Sequence, residues 1–434
     1  MRLHETLQHL TLHLNELLRG AAHPKAGWNE ARRAFVHRFL AAMIVAGSTV
    51  ISEIARRLPS ATVMRHRYKA ADRMLGDIDL VPVAAAQTDV LGRQLDDGWV
   101  IALDLSDIRK DYAKKMEALG RVYDGSTGEV SVPGYGLVSA CAFDLAGKHK
   151  ALPLPLLFEV FSASEEDFKS QNTIWLDAID RLCDATSGAT IAIDRAGDNG
   201  RILAKLLDRK RKFVVRICSG NSSRIVLFNK NSRARVRDAW KEAKMFGELE
   251  ATRLSDTGKP TPYTCEYGSL RVTLPGRKDE RLWLCVFDCP DHEQPLVILT
   301  NRPADEPAQV AQVLACYFAR WVAEDFHRFV KQEFKLESVR TLTFRRLKNM
   351  VAMTWIAAGA IAPFGVGPTA RLVLRHFEIL GAQLKKPHTD GQFWGYALAR
   401  GMRAQLGAAH HALRLFHWFW PAPPTRQLPI PGFT

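Results

Sequence analysis

The stretch Trp99-Val100-Ile101-Ala102-Leu103-Asp104 is a compact apolar run that ends in an acid. Runs of this length and composition are typical of strands that are buried on both faces of a sheet. A second such run, Ala189-Thr190-Ile191-Ala192-Ile193-Asp194, stands further along the chain. The two runs therefore predict two buried strands, each of which ends in an aspartate.

The segments around these two runs predict the rest of a sheet. Apolar or alternating stretches predict further strands at 136–143, 151–161 and 213–217. Apolar residues at helical spacing predict helices at 173–183 and 200–209. In chain order this gives three strands, a helix, a strand, a helix and a strand, which indicates a mixed α/β unit.

Helical segments flank this unit, and a β-rich segment interrupts it. Residues 308–335 and most of the chain from there to 420 have helical spacing, as do the first 95 residues. Lys230–Pro303 is rich in loops and short strand-like runs, which predicts an inserted β-rich subdomain. The predicted organisation is a helical domain at 1–95, the first part of an α/β core at 96–229, the β-rich insertion at 230–303, the last part of the core at 304–348 and a helical C-terminal region at 349–434.

The composition indicates a polyanionic partner. The 434 residues include 60 Lys and Arg against 46 Asp and Glu, which gives a formal net charge of +14. Such an excess points first to DNA or RNA, with an ordinary basic enzyme as the alternative. The seven cysteines are scattered, which favours reduced thiols in the cytoplasm. Cys285, Cys289 and His292 lie close together, but no second Cys/His pair follows, so no zinc site is expected.

One uncharged segment, 349–370, is long enough to cross a bilayer. Pro363 and Pro368, with glycines between them, are expected to end a helix within its second half. The part before Pro363 is short for a membrane span. A helix buried in the protein core is therefore the preferred interpretation, and no membrane partner is expected.

Basic residues cluster on a predicted helix near the N-terminus. Thr62–Leu75 follows short helices with tight turns, and it carries Arg65, Arg67 and Lys69. This pattern predicts a helix-turn-helix unit that reads DNA. The alternative is an ordinary helical subdomain whose basic face is solvated.

Asp104 and Asp194 are candidates for a metal site. Carboxylates at the ends of neighbouring strands can share Mg²⁺ or Mn²⁺, and a third carboxylate completes a two-metal site that acts on phosphodiesters. Taken singly, an aspartate at the end of a strand is most often a loop cap. Asp107 competes with Asp104, but Asp104 follows the apolar run directly and is preferred.

The segment Tyr317–Lys331 supplies the third carboxylate. On a helix with about 100° per residue, Glu324 shares one stripe with several bases and an aromatic residue. This arrangement suits a metal-binding acid whose neighbours bind phosphates. Asp325 points about 100° away and is a poorer candidate. The stripe consists of Tyr317, Arg320, Glu324 and Lys331, with Arg328 and Lys335 close to it.

The spacing of Tyr317, Arg320, Glu324 and Lys331 resembles the motif of the insertion-sequence-four family of bacterial DDE transposases. Asp194-Arg195-Ala196-Gly197-Asp198 resembles the family's second motif, and the run that ends at Asp104 resembles its first. The order of segments is also similar, and the resemblance extends from about residue 30 to about residue 348.

The resemblance implies a ribonuclease-H-like catalytic core with an inserted β-rich subdomain, and cut-and-paste transposition. Asp104, Asp194 and Glu324 are then the ligands of two Mg²⁺ or Mn²⁺ ions. It also implies double-stranded DNA as the partner, both transposon ends and target, and a homodimer in a synaptic complex in the bacterial cytosol, associated with the nucleoid. The residues expected to contact DNA near the cleavage site are Tyr317, Arg320, Lys331, Arg195, Arg328 and Trp321.

The sequence departs from the family pattern at one place. Some relatives that form a DNA hairpin hold a flipped base on an aromatic residue late in the insertion, but Leu296–Thr300 contains none. Trp283 and Trp321 are the possible substitutes, and each can equally be a core residue. Two alternatives to an active transposase stay open: an inactive DNA-binding derivative and a nuclease on a similar core.

Overall fold

The structure is a computed structural model, and it describes residues 3–21, 28–59, 62–123, 131–145, 152–218, 223–229, 232–254, 260–289, 293–365, 370–381 and 394–411. Its helices, in chain order, are α1 (Leu3–Gly20), α2 (Glu30–Ala46), α3 (Ile51–Arg57), α4 (Met64–Asp77), α5 (Val81–Gly92), α6 (Gln171–Ala185), α7 (Gly200–Asp208), α8 (Val236–Ala239), α9 (Pro307–Ala319), α10 (Trp321–Glu333), α11 (Phe344–Ile361), α12 (Ala370–Leu380) and α13 (Gly395–His411).

The strands form one mixed sheet. They are β1 (Trp99–Arg109), β2 (Gly120–Val122), β3 (Val132–Asp144), β4 (Leu154–Phe161), β5 (Thr190–Ile193), β6 (Phe213–Ile217), β7 (Ile225–Phe228), β8 (Ser232–Arg235), β9 (Lys244–Leu254), β10 (Pro260–Leu274), β11 (Arg277–Asp288) and β12 (Leu296–Thr300). The predicted strands and helices between 99 and 217 are confirmed.

The first five long strands lie in the order β4-β3-β1-β5-β6. β1 is antiparallel to β3 and parallel to β5, and β5 is parallel to β6. This mixed α/β arrangement is compatible with a ribonuclease-H-like core. β12 pairs antiparallel with β6, so the strands of the predicted insertion extend the same sheet.

Apolar alternation covers the two faces of this sheet with different helices. Odd-numbered residues of the central strands, such as Ile101 and Ile191, pack against α6 and α7. Even-numbered residues, such as Val100 and Ala192, pack against α9. Because successive side chains of a strand alternate between faces, Asp104 and Asp194 belong to the face that carries α9.

Two expectations about element ends are wrong. β1 does not end at Asp104 but continues to Arg109, because it pairs with β3 over its whole length. The predicted helix 308–335 is two helices, since hydrogen bonds from Arg320 N to Tyr317 O and from Ala323 N to Arg320 O span three residues instead of four. The turn at Arg320 is therefore tighter than an α-helical turn.

The apolar segment near residue 350 is a core helix. Phe344–Phe364 is long and apolar enough to cross a membrane, but 89% of its most apolar window is buried inside the protein. The side-chain amide of Asn349 accepts from Leu80 N at 2.8 Å and donates to Leu75 O at 2.7 Å, which fastens α11 to the N-terminal helices. One apolar cluster joins α1, α2, α5, α10, α11 and α13. The described parts of the segments 1–95, 304–348 and 349–411 therefore share a core.

Candidate active site

Asp104 and Asp194 stand at the same level on neighbouring strands. The last parallel pair between β1 and β5 is Ala102 with Ala192, and each aspartate lies two residues beyond it. Adjacent strands are about 4.8 Å apart. The two carboxylates therefore project from the same face, at the point where β5 ends and β1 continues.

Glu324 lies on the helix that follows the one covering these aspartates. α9 covers the face to which they belong, and α10 follows it after the turn at Arg320. Ala102 packs in one cluster with Ala323 and Phe326, the near neighbours of Glu324. Asp194 and Glu324 both lie near enough to Asp104 for their charges to raise its pKa, so the three predicted carboxylates are neighbours.

Asp194 also shapes its own loop. Its Oδ1 accepts a hydrogen bond of 2.8 Å from Ala196 N, and it is the N-cap of a single 3₁₀ turn, Arg195–Gly197. Asp198, the last residue of the second motif, binds Arg224 and accepts from Cys218 N at 3.2 Å. Asp198 therefore holds the loop in place, while the Arg195 side chain is exposed beside Asp194.

Arg320 is the cation within the carboxylate group. Its Nη1 donates to Glu324 Oε1 at 3.0 Å, and its guanidinium lies 5.7 Å from the ring centre of Tyr317. Burial acts to lower the pKa of Arg320, but Tyr317, Glu324, Asp104 and Asp194 together raise it above its usual value. Arg320 therefore stays charged and partly neutralises the three acids.

The carboxyl group of Asp104 is the most perturbed acid of the site. Burial and the nearby charge of Asp194 raise its pKa to about 7, with Arg320 opposing the rise and Glu324 adding to it. An acid this perturbed by burial and by like charges is typical of a functional site. A bound cation would relieve the repulsion between these carboxylates.

The donor set suits Mg²⁺ or Mn²⁺, since both prefer carboxylate oxygens. Within the described ranges, no three His, Cys, Asp or Glu side chains are positioned to hold a metal ion as they stand. The ion pair with Arg320 and the hydrogen bond to Ala196 N engage two of the three acids instead. Side-chain movement at Glu324 is therefore needed before all three carboxylates can surround a cation.

A buried hydrogen-bond chain connects α10 to β1 behind the acids. Ser139, opposite Asp104 on β3, donates from Oγ to Asp104 O at 3.3 Å. His327 Nε2 lies 2.6 Å from Ser139 Oγ, and the tautomer of the imidazole decides which of the two atoms donates. Burial lowers the pKa of His327 to about 4, so the ring is neutral. These hydrogen bonds hold α10 against the sheet one turn from Glu324.

The remaining predicted DNA contacts near Glu324 differ in exposure. Trp321 is 56% exposed and Arg328 is exposed beside Asp325, with which it forms a 3.1 Å ion pair. Lys331 forms a 3.3 Å ion pair with Glu337. Tyr317 is only 2% exposed beneath Arg320, so this conformation disfavours its predicted contact with a phosphate.

On the predicted DNA-reading helix α4, Arg65 and Lys69 are exposed, and their contact with DNA stays a prediction. Arg67 is engaged elsewhere, because its Nη1 donates to Leu58 O at 3.3 Å and to Ala55 O at 3.5 Å. Its guanidinium satisfies carbonyls at the end of α3, a role typical of a basic residue near a helix C-terminus.

Two residues of the predicted insertion, Trp283 and Cys285, are core residues. Trp283 is 5% exposed and donates to Asp305 at 2.9 Å, so it does not offer a stacking surface. The thiol of Cys285 is fully buried, and burial raises its pKa. His292 lies outside the described residues.

A sequence model of the family described as "Transposase DDE domain" matches residues 96–358. The chain belongs to this family. A search of curated proteins found no match to the chain. The DDE transposase domain acts on DNA, which is therefore the partner class, and the matched span includes Asp104, Asp194 and Glu324.

Sequence reasoning missed one part of this DDE transposase site. The contact between Ser139 and His327 joins residues that are far apart in the chain, and Ser139 stands within an apolar strand with no motif around it. His327 lies on the helix that carries Glu324, on the same buried face as Ala323 and Val330. That position inside an apolar face was the available signal.

Proposed function

We propose that this DDE transposase is an active member of the insertion-sequence-four group and moves its element by cut-and-paste transposition. Asp104, Asp194 and Glu324 are the ligands of two Mg²⁺ or Mn²⁺ ions. The observation that carries the proposal is the equal level of Asp104 and Asp194 on parallel strands, beneath the helix that bears Glu324. Decay of the site would be expected to remove at least one of these acids.

The metal ions, when bound, activate water or a 3′-hydroxyl and stabilise the oxygen that leaves the phosphodiester. The chain's own groups prepare this chemistry. Arg320 keeps positive charge at the site before metal and DNA arrive, and it donates to a phosphate oxygen once Glu324 turns away. Arg195 and Lys331, at the two sides of the acids, bind neighbouring phosphates.

The fold supports the proposal in two ways. The strand order β4-β3-β1-β5-β6 is the order expected of a ribonuclease-H-like core. β9–β12 stand between β6 and the helix that carries Glu324, at the place of the proposed insertion. The 3′ end is nicked first, a hairpin can follow, and strand transfer into target DNA completes the cycle.

The protein is proposed to work as a homodimer that pairs two transposon ends, in the bacterial cytosol. Pairing of two ends before cutting requires two copies of the site. The exposed bases Arg65 and Lys69 on α4 are proposed to bind the terminal inverted repeats.

The test is cleavage of a duplex that carries the element's terminal inverted repeats, with Mg²⁺ or Mn²⁺, by the wild type and by Glu324→Gln. The expected result is cleavage by the wild type alone. Asp325→Asn is the matched control, since it removes the neighbouring acid on the same helix and is expected to leave cleavage intact. Binding without cleavage by every protein, with both metals, would identify an inactive DNA-binding derivative. Cleavage without strand transfer would identify a nuclease.

A further inference from the structure

A cleft of about 920 Å³ opens beside the proposed active site. One wall is the segment 109–116, which follows β1. The other wall is the segment 337–342, which follows α10 and a short 3₁₀ turn. The two walls therefore continue directly from the strand that carries Asp104 and the helix that carries Glu324.

Hydrogen bonds between the walls hold the cleft in one shape. Lys110 is buried, and its Nζ donates to Glu337 O at 2.5 Å and to Val339 O at 3.0 Å. Glu117 N donates to Leu342 O at 2.9 Å. A preformed cleft saves a ligand the entropic cost of ordering loops.

Basic side chains dominate the charge of the lining. Lys114, Lys115 and Arg340 are exposed on the two walls. The two acids of the lining are each paired with a base: Asp111 with Arg109 at 3.1 Å, and Glu337 with Lys331 at 3.3 Å. The positive charge of the three exposed bases is therefore available to a polyanion.

The cleft also presents an aromatic ring to solvent. Tyr112 is 96% exposed, and Leu342 on the opposite wall is 71% exposed. An aromatic side chain among lysines and arginines is the combination that binds unpaired nucleic acid. The nucleobases stack on the aromatic ring while the phosphates bind the positive charges. A duplex keeps its base faces covered and gives such a ring nothing to stack on.

The cleft lies within reach of the proposed site of cleavage. Arg109, at its edge, stands five residues beyond Asp104 on β1. At about 3.3 Å per residue this is roughly 17 Å, or about five nucleotide steps of duplex DNA.

We propose that this cleft binds an unpaired segment of the DNA strand that flanks the cleavage site. Lys114, Lys115 and Arg340 bind its phosphates, and Tyr112 stacks on one of its bases. This inference rests on the proposed function for the identity of the DNA, but binding in the cleft does not require catalysis.

The experiment measures binding by the full chain in EDTA, so that no cleavage occurs. Two DNA probes share one sequence: a full duplex, and a duplex with a short unpaired overhang that contains 2-aminopurine. The variants are Tyr112→Leu, Tyr112→Phe and the pair Lys114→Ala with Lys115→Ala. The control pair, Lys278→Ala with Arg281→Ala, removes two exposed basic side chains on β11, away from the cleft.

Tyr112→Leu is expected to weaken binding of the overhang probe about tenfold and to abolish quenching of 2-aminopurine, because a leucine cannot stack. Tyr112→Phe is expected to keep both. The lysine pair is expected to lower the slope of log K against log salt by about 0.7 for each lysine removed. The control pair is expected to change neither quantity.

Several outcomes would overturn the proposal. Equal weakening for duplex and overhang probes would make the cleft a general duplex surface. If polyglutamate competed for the protein as well as unlabelled overhang DNA does, the cleft would be an unspecific polyanion surface. Wild-type cleavage with unchanged overhang binding by Tyr112→Leu would reject the cleft alone, whereas altered overhang binding in a protein that never cleaves would reject the catalytic function alone. Thermal unfolding of each variant checks that these exposed substitutions leave the fold intact.

Discussion

Arg320 and Glu324 form an ion pair of 3.0 Å in which the arginine side chain is 10% exposed and the glutamate side chain is 50% exposed. The cationic end of the pair is thus buried among acids, and the anionic end faces solvent. Glu324 can leave the pair by a side-chain rotation, whereas Arg320 stays where Asp104 and Asp194 need a positive charge.

Replacement of Arg320 by glutamine is expected to leave the buried acids without their counter-charge. The free energy of unfolding should fall by about 1–3 kcal/mol, and added Mg²⁺ or Mn²⁺ should raise Tm more than it does in the wild type. Calorimetry with and without metal measures both effects. Arg328→Gln is the control, since its exposed ion pair with Asp325 contributes about 0.5 kcal/mol or less. Equal losses in both variants would refute the special role of Arg320.

Asp104→Asn is expected to stabilise the metal-free protein while it abolishes cleavage. The pKa of Asp104 is raised to about 7 in the fold, above its usual value of 3.8. Its charge therefore opposes folding increasingly as the pH rises from 4 to 7, so the gain in Tm should be larger at pH 8 than at pH 5. Cleavage should fall by about 10²–10³-fold or more.

Asp107→Asn provides the comparison for Asp104→Asn, because it removes the competing acid on the same strand. It is expected to retain cleavage. A loss of cleavage only in Asp107→Asn would move the first metal ligand to that residue.

Ser139→Ala is expected to destabilise the fold and to lower cleavage. It leaves the buried Nε2 of His327 without its hydrogen-bond partner, which costs about 1–3 kcal/mol. Because the lost chain joins α10 to β1 beside Asp104, cleavage per folded molecule should also fall. Ser269→Ala is the control: this buried serine on β10 donates to Ala304 O, so its loss should reduce stability without reducing cleavage by the folded fraction.

The stability of the N-terminal helices is expected to decline in mild acid because of His13. Burial, with a smaller contribution from His9, lowers the pKa of His13 to about 4, against 6.5 for an unperturbed histidine. Above pH 6.5 this histidine is neutral in both the folded and the unfolded chain. Below pH 6.5 it binds a proton in the unfolded chain but not in the folded one, which lowers the free energy of unfolding. The loss between pH 7 and pH 5 should approach about 2 kcal/mol. His13→Gln should weaken this dependence in calorimetric scans, while His37 and His327, whose pKa values burial also lowers to about 4, maintain the remainder. His66→Gln, on exposed α4, is the matched control.

The central strands and the Glu324 motif could be predicted because their signals are local. Ile191–Ile193 and Phe213–Val215 are short runs of apolar residues only, and strands buried on both faces are expected to have such runs. The level of Asp104 with Asp194 then follows from parallel pairing.

Other features depended on partners that are distant in sequence. β1 extends past Asp104 because β3 supplies a hydrogen-bonding edge there. The residues 105–109 alone do not predict this pairing. The burial of Tyr317 and the engagement of Arg67 by α3 likewise follow from packing. Periodicity on a helical wheel places side chains around an axis but does not tell which side another helix or strand covers.

The packing of α11 against the N-terminal helices limits how domains can be exchanged between such proteins. Asn349 is bonded to the backbone of Leu75, Ile78 and Leu80, so the first 95 residues and the matched DDE domain do not separate at residue 95. A chimaera that took its N-terminal helices from a relative would bring foreign carbonyls to that amide and foreign side chains to the shared core. With α4 binding the transposon ends, as proposed, recognition of a new DNA end would therefore arise by substitution on its exposed surface, and not by transplanting the N-terminal segment as a unit.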